Sequence, residues 1–340
     1  MIVRRTVLTG AAAMAGAMAC PALVRAQTPR TLKLSHQFPG GTLEEGDARD
    51  RICRKFAAEV DKRTNGSLKV DVYPNSSLMK TLAQFSSLRK GALDMTLYPL
   101  SYAGGEVQET NLGLMPAIVT SYDQARKWRT APIGKELAKS LDEKGVVFVT
   151  WIWQSGSIAS RGKAVMVPED SKGLKVRGGG REMDMVFQAA GAQVSSMPSN
   201  EMYIGMQTGA LDAAISASTS LISFRLDELT KNLTSGRGQT FWFILEPLLM
   251  AKSTFQALTP EQQKVVTDVG LELEDFAFEA AKADDENLVR TYAAKGAKIN
   301  DLTPDHIEKW KALSRDTAWK DFAAKSARNA ELIKLAEAVS

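Results

Sequence analysis

Arg177 is the residue of this chain best placed to do chemistry. It ends the short run Leu174-Lys175-Val176, and Gly178, Gly179 and Gly180 follow it directly. An arginine at a strand end is well placed to face a cleft, and its planar fork of N–H donors meets a carboxylate at two points. Three glycines ahead of a helical segment can also let backbone N–H groups approach an anion, although they serve equally as a flexible turn. A trap for a carboxylate needs donors that orient the anion and apolar walls around it. Arg161, in Ser160-Arg161-Gly162-Lys163, is a second cation candidate. His36, at the end of the first strand, can hydrogen-bond a ligand or hold a turn. Tyr98, Trp151, Trp153, Phe224, Phe241 and Trp242 can supply walls, and Trp151 and Trp153, two residues apart, share a strand face.

The same inventory argues against catalysis. The chain holds two histidines, His36 and His306, and two cysteines, Cys20 and Cys53, too few and too scattered for a zinc site or a nucleophilic triad. Ser155-Gly156-Ser157 lacks the spacing of a hydrolase elbow. Gly178-Gly179-Gly180 lacks both the Lys-Ser/Thr of a phosphate loop and the dinucleotide fingerprint. No cofactor and no metal are expected.

The elements that must position Arg177 alternate between strand and helix. Thr31–His36, Leu68–Tyr73, Leu93–Leu97 and Val146–Trp153 read as strands, with helices around Ile52–Val60 and Leu78–Leu88 between them. A second series follows: strand Leu174–Arg177, a helix through Met183, Val186, Phe187 and Ala190, strand Gln193–Ser195, a short helix near 200–207 and strand Ala210–Ile215. Such alternation predicts βαβ units, parallel sheets and two lobes joined near Trp151. Thr259-Pro260-Glu261-Gln262 is a helix start, and the next strong breaker is Gly296. About 35 residues at 1.5 Å each make a helix on the order of 50 Å. It is longer than a small domain is wide, and without a strict heptad it is expected to span both lobes.

The N-terminus reads as an export signal over residues 1–26: Arg4 and Arg5, an Ala- and Gly-rich apolar run, then Val24-Arg25-Ala26. The adjacent arginines suggest the twin-arginine route, and mature protein is expected to start near Gln27 in the periplasm. Three arginines and no acid leave with the signal, so the formal charge falls from +4 to 4 − 3 = +1. That charge, with no long basic run, excludes a nucleic-acid partner by electrostatics. Only Cys53 remains, which excludes an internal disulfide and reads as a small buried hydrophobe.

Two stretches carry a family resemblance. Lys172-Gly173-Leu174-Lys175-Val176-Arg177, and then Glu201-Met202-Tyr203-Ile204-Gly205-Met206-Gln207-Thr208-Gly209-Ala210-Leu211-Asp212, resemble the solute-binding proteins of tripartite ATP-independent periplasmic (TRAP) transporters, the DctP-like family. The resemblance covers nearly the whole mature chain. It implies an α/β, two-lobe periplasmic-binding-protein-like fold, a ligand cleft between the lobes, and a long helix crossing both. Family boundaries place one lobe at 27–151 plus 242–282 and the other at 152–241 plus 283–340, with three crossings. Arg177 matches the family's carboxylate-binding arginine. The implied protein is a monomer that is not an enzyme. It captures a small-molecule carboxylate by hinge closure and delivers it to TRAP membrane permease subunits. Alternatives are an exported α/β enzyme or a sensor that presents ligand to a receptor.

Three departures from the family pattern bear on the ligand. No arginine stands in Ser155–Ile158, Ser216 replaces an asparagine after the Leu-Asp strand, and Ser199 replaces a phenylalanine. One arginine with several aromatic walls favours a monocarboxylate with an apolar or aromatic body, such as a 2-oxo or 2-hydroxy acid. Arg161 keeps C4-dicarboxylates as the alternative.

Overall fold

The computed structural model of the chain describes residues 29–339. The segment expected to be an export signal, residues 1–26, and Cys20 within it lie outside the described residues.

Two mixed sheets form the two lobes. The first is built from β1 (Arg30–Ser35), β2 (Leu68–Tyr73), β3 (Met95–Leu97) and β4 (Val146–Thr150), with β11 (Leu248–Ala251) inserted antiparallel, in the order β2-β1-β3-β11-β4. The second holds β5 (Trp153–Ser160), β6 (Lys175–Arg177), β7 (Gln193–Val194), β8 (Ala213–Ala217), β9 (Asn232–Ser235), β10 (Phe243–Leu245) and β12 (Lys298–Asp301). Its order is β12-β9-β5-β8-β6-β7, with β10 paired to β5. The expectation of purely parallel sheets is corrected in both. β11 opposes β3 and β4, and β5 opposes β8 and β9.

The apolar run expected as one strand, Val146–Trp153, is broken at Trp151 and Ile152. That break is the first passage between lobes. The second lies at Glu246–Pro247, between β10 and β11. The two passages run side by side as a ribbon: Leu245 pairs with Trp153, the Glu246 N–H donates to the Ile152 carbonyl at 2.8 Å, and Leu248 pairs with Thr150.

The third passage is the helix Pro260–Ala294, 35 residues long. Its capping box is the one the sequence announces: the Thr259 side chain accepts from Gln262 N–H, and the Gln262 side chain accepts from Thr259 N–H. The helix is buried in two cores. Val266, Val269 and Leu273 join the first lobe's cluster, while Leu288 and Tyr292 join the second's. Gly270 lets it lie directly on β4, because a Cβ there would stand 2.2 Å from the Val149 carbonyl oxygen.

The C-terminal segment adds a fourth passage. Helix Pro304–Ser314 belongs to the second lobe: Trp310 stacks on Phe241 and donates to the Met166 carbonyl. After a π-helical turn at Arg315–Trp319, helix Ala327–Glu337 returns to the first lobe. There Asn329 bonds Gln108, and Gln124 donates to the Val339 carbonyl. The boundary expected at 283–340 therefore does not describe the last helix, whose apolar face (Leu332, Ile333, Ala336) is buried on the first-lobe side.

Candidate functional site

Arg177 ends β6, where β6 pairs with β8 and the chain turns into helix Arg181–Ala189. Carboxyl ends of strands are where open α/β sheets hold ligands. The side chain is 1% exposed. Its Nε donates to the Met197 carbonyl at 3.1 Å, Nη1 to the Ile215 carbonyl at 2.8 Å and Nη2 to the Tyr102 hydroxyl at 2.7 Å. These partners are neutral, and among the described residues no carboxylate oxygen lies within 4.0 Å of the guanidinium. Its charge is nonetheless felt by Asp184 and Glu246, both of which burial pushes above the usual carboxylate range.

The three glycines have separate reasons. Gly178 leaves room for Asp184, since a Cβ would stand 2.5 Å from its Oδ1. Gly179, at φ +99°, lies flat against Arg177, with a Cβ position 2.7 Å from Nη1. Gly180 packs under Ser101 of the opposite lobe. The loop is a close-packed cradle for Arg177 rather than a free turn. The Ser101 hydroxyl donates to the Gly179 carbonyl at 3.1 Å across the lobes. A cavity of about 490 Å³ opens beside this seam, lined by Tyr102, Gly179 and Met197, all of which touch Arg177, and by Ser101, Asp184 and Met185. A wider groove of about 870 Å³ between helix Ala48–Arg63 and β2 is lined by no residue that touches Arg177.

The other expected site residues divide. Trp242 is at the site as a support: its indole donates to the Gly178 carbonyl at 2.9 Å and lies across Gly156, where a Cβ would meet it at 2.2 Å. Ser216 is buried on β8, opposite Ser157 and next to the Ile215 carbonyl that Arg177 uses. Tyr98 stands one ring back, edge-on to Tyr102 at 5.9 Å.

Four are not brought to Arg177. Arg161 is exposed beyond the far end of β5. β5 runs against β8, which parallels β6, so following it forward leads away from Arg177. His36 is fully buried and spent: its Nδ1 accepts from Phe38 N–H at 3.2 Å, leaving Nε2 to donate to Asp50 at 3.1 Å. Trp151 stacks on Phe148 with ring centroids 4.4 Å apart, and Trp153 meets Trp128 edge-on at 5.2 Å. The strand break sends the two tryptophans into separate packing, so they form no shared wall. Cys53 is a free, buried thiol whose pKa burial pushes up, as expected of a core residue.

Sequence reasoning missed Tyr102, Ser101, Asp184 and Met197. It also missed the polar cluster at the inter-lobe ribbon. There Arg49, fully buried, pairs with Asp47 at 2.7 Å and Glu246 at 2.9 Å, donates to Ser220 at 2.9 Å, and stacks over Phe38. Burial opposes ionisation of Asp47, but Arg49 more than offsets it and holds that carboxyl below its ordinary value. On the long helix, Asp285 accepts from Ser155 Oγ at 2.5 Å and from the Tyr122 hydroxyl at 2.9 Å. Burial lifts its pKa to about 6. Glu274, three turns earlier, accepts from Trp151 N–H at 3.2 Å and pairs with Arg129 at 3.1 Å, and burial lifts it to about 7.

Two mixed α/β lobes, a polar ribbon and a spanning helix between them, and a seam where the lobes meet define a two-lobe solute-binding protein. The chain matches the family model "Bacterial extracellular solute-binding protein, family 7" (DctP) over residues 40–326, and it belongs to that family. The family is one of binding proteins, not enzymes. The chain is 56% identical over 334 residues, 98% of each chain, to a solute-binding protein of Albidiferax ferrireducens. It is 27% identical over 320 residues, 92% of each chain, to the C4-dicarboxylate-binding periplasmic protein DctP of Rhodobacter capsulatus. Its fold superposes with TM-score 0.89 and 58% identity on a crystal structure of a TRAP periplasmic solute binding protein from Rhodoferax ferrireducens with bound malonate, covering 90% of this chain and 97% of that one.

Proposed function

We propose that this protein is the exported receptor of a TRAP transporter, that it captures an organic acid with the acid's carboxylate on Arg177, and that it hands the acid to the membrane permease. The observation that carries the reading is the state of Arg177: a cation at 1% exposure whose partners are all neutral. A guanidinium does not escape burial by losing its proton, so an anion is the remaining way to compensate it. The malonate bound by the 58%-identical protein is an acid of this class. Family boundaries for the lobes are retained except at the two places described above, Glu246–Pro247 and the C-terminal helix. Export by the signal at residues 1–26 into the periplasm, by the twin-arginine route, belongs to the same proposal.

The expected apolar or aromatic wall is not supported by Trp151 and Trp153, which pack elsewhere. The ligand is therefore read as a small organic acid with one carboxylate on Arg177. The experiment is calorimetry of the mature protein against malonate, succinate, malate, lactate, pyruvate and aromatic acids in one buffer. At least one should bind saturably without turnover. If none binds, the reading fails.

A further inference from the structure

The strongest unassigned feature is the hydroxyl of Tyr102. Tyr102 sits in the 3-10 helix Leu100–Ala103, just past β3, and so comes from the first lobe. Two N–H donors of the second lobe converge on its oxygen: Arg177 Nη2 at 2.7 Å and the Ser199 backbone N–H at 3.0 Å. A phenolic oxygen that accepts two hydrogen bonds has spent its acceptor capacity, while its own hydrogen remains a donor. Among the described residues no acceptor takes that hydrogen. The ring is fixed from behind by its edge-on contact with Tyr98 at 5.9 Å, and it lines the cavity beside Arg177. Accepting from a guanidinium polarises the O–H and strengthens it as a donor.

We propose that Tyr102 is a second ligand-binding residue, which donates its hydroxyl hydrogen to the carboxylate held by Arg177. The carboxylate would then be shared by the two lobes, with Arg177 on one side and Tyr102 on the other. Capture and closure become one event, because the bond forms only when the first lobe comes down on the second. This rests on the carboxylate reading of Arg177. The same geometry selects for an oxygen that accepts at this point, so an ester or primary amide in place of the carboxylate forfeits the bond's charge assistance.

The test is calorimetry with whichever acid of the panel binds wild-type protein most tightly, on Tyr102→Phe, Ser101→Ala and Arg177→Ala. A hydrogen bond to a charged group predicts that Tyr102→Phe weakens binding about ten- to a hundredfold. Ser101→Ala removes another contact across the seam, one made to the Gly179 carbonyl rather than to Arg177. Its loss should be several-fold smaller. Equal losses in Tyr102→Phe and Ser101→Ala would show that Tyr102 only helps the lobes close, and would overturn the inference. So would Tyr102→Phe binding within threefold of wild type while Arg177→Ala fails, an outcome that leaves the Arg177 reading standing. Undiminished binding by Arg177→Ala would sink both.

Discussion

Arg49 and Arg177 are the two buried arginines among the described residues, at 0% and 1% exposure, and both stand where the lobes meet. Arg49 brings its counter-charges with it. Asp47 and Glu246 pair with the guanidinium directly, and Ser220 reaches it from the second lobe. Arg177 has two backbone carbonyls and one hydroxyl, with no carboxylate in pairing distance. On the proposed function, the difference separates a charge that serves the fold from one that would serve a ligand. An internally neutralised arginine has little to offer an incoming anion. An arginine solvated only by dipoles attracts one. Asp285 completes the comparison from the other sign. It too is held by neutral donors, but a carboxylate can take up a proton, and its pKa rises to about 6 under burial.

Stability should divide the two arginines first. Arg49→Met leaves Asp47 and Glu246 buried without their cation, and breaking a buried pair in this way costs about 3–5 kcal/mol. Urea unfolding in the absence of ligand should show that loss in full, whereas Arg177→Ala should leave the midpoint close to wild type. Equal destabilisation by both substitutions would erase the distinction.

Gly179→Ala should injure Arg177 without touching Arg49. The position has φ +99°, and the added Cβ would stand 2.7 Å from Arg177 Nη1. Left-handed strain on a non-glycine residue costs about 1–3 kcal/mol. Displacement of the guanidinium should weaken acid binding about tenfold or more beyond any change in melting temperature. Unchanged affinity would mean that the cradle around Arg177 does not set its position.

The smallest expected effect is on pH dependence. The folded Asp285 carboxyl, at about 6, holds its proton more tightly than the unfolded chain does at its ordinary 3.8. Its contribution to stability is therefore fully present below about pH 4, is lost as pH rises to about 6, and is constant above that. Glu274, at about 7, extends the same downward slope toward neutral pH. Asp285→Asn should match wild type near pH 4 and be more stable by about 1–2 kcal/mol at pH 8. A variant less stable than wild type at pH 8 would show that the fold needs the ionised carboxylate between Ser155 and Tyr122.

Local signals read well and long-range ones did not. The strand before Arg177 and the helix Pro260–Ala294 were legible, because an apolar run beside glycines and a Thr-Pro-x-Gln start followed by Gly296 are local patterns. Arg161 stood as a second cation candidate because sequence does not state that β5 runs against β8. Of the two roles open to His36 the structure shows the turn, with Nδ1 accepting from Phe38 N–H; its other partner, Asp50, fourteen residues on in a helix packed against it, gave no local signal. Tyr102 gave no signal, since a single 3-10 turn has no periodicity. Arg49 carries no local signal, since only the second crossing brings Glu246 to it.

The central claim is that Arg177 holds the ligand's carboxylate. Calorimetry of wild-type and Arg177→Ala protein with the tightest acid of the panel, with melting temperature as the fold control, tests it most directly. Removing one side of a desolvated ion pair costs about 2–5 kcal/mol, roughly 30- to several-thousand-fold in affinity. The account predicts a loss in that range with an intact fold. A loss below about tenfold from a folded variant would contradict it.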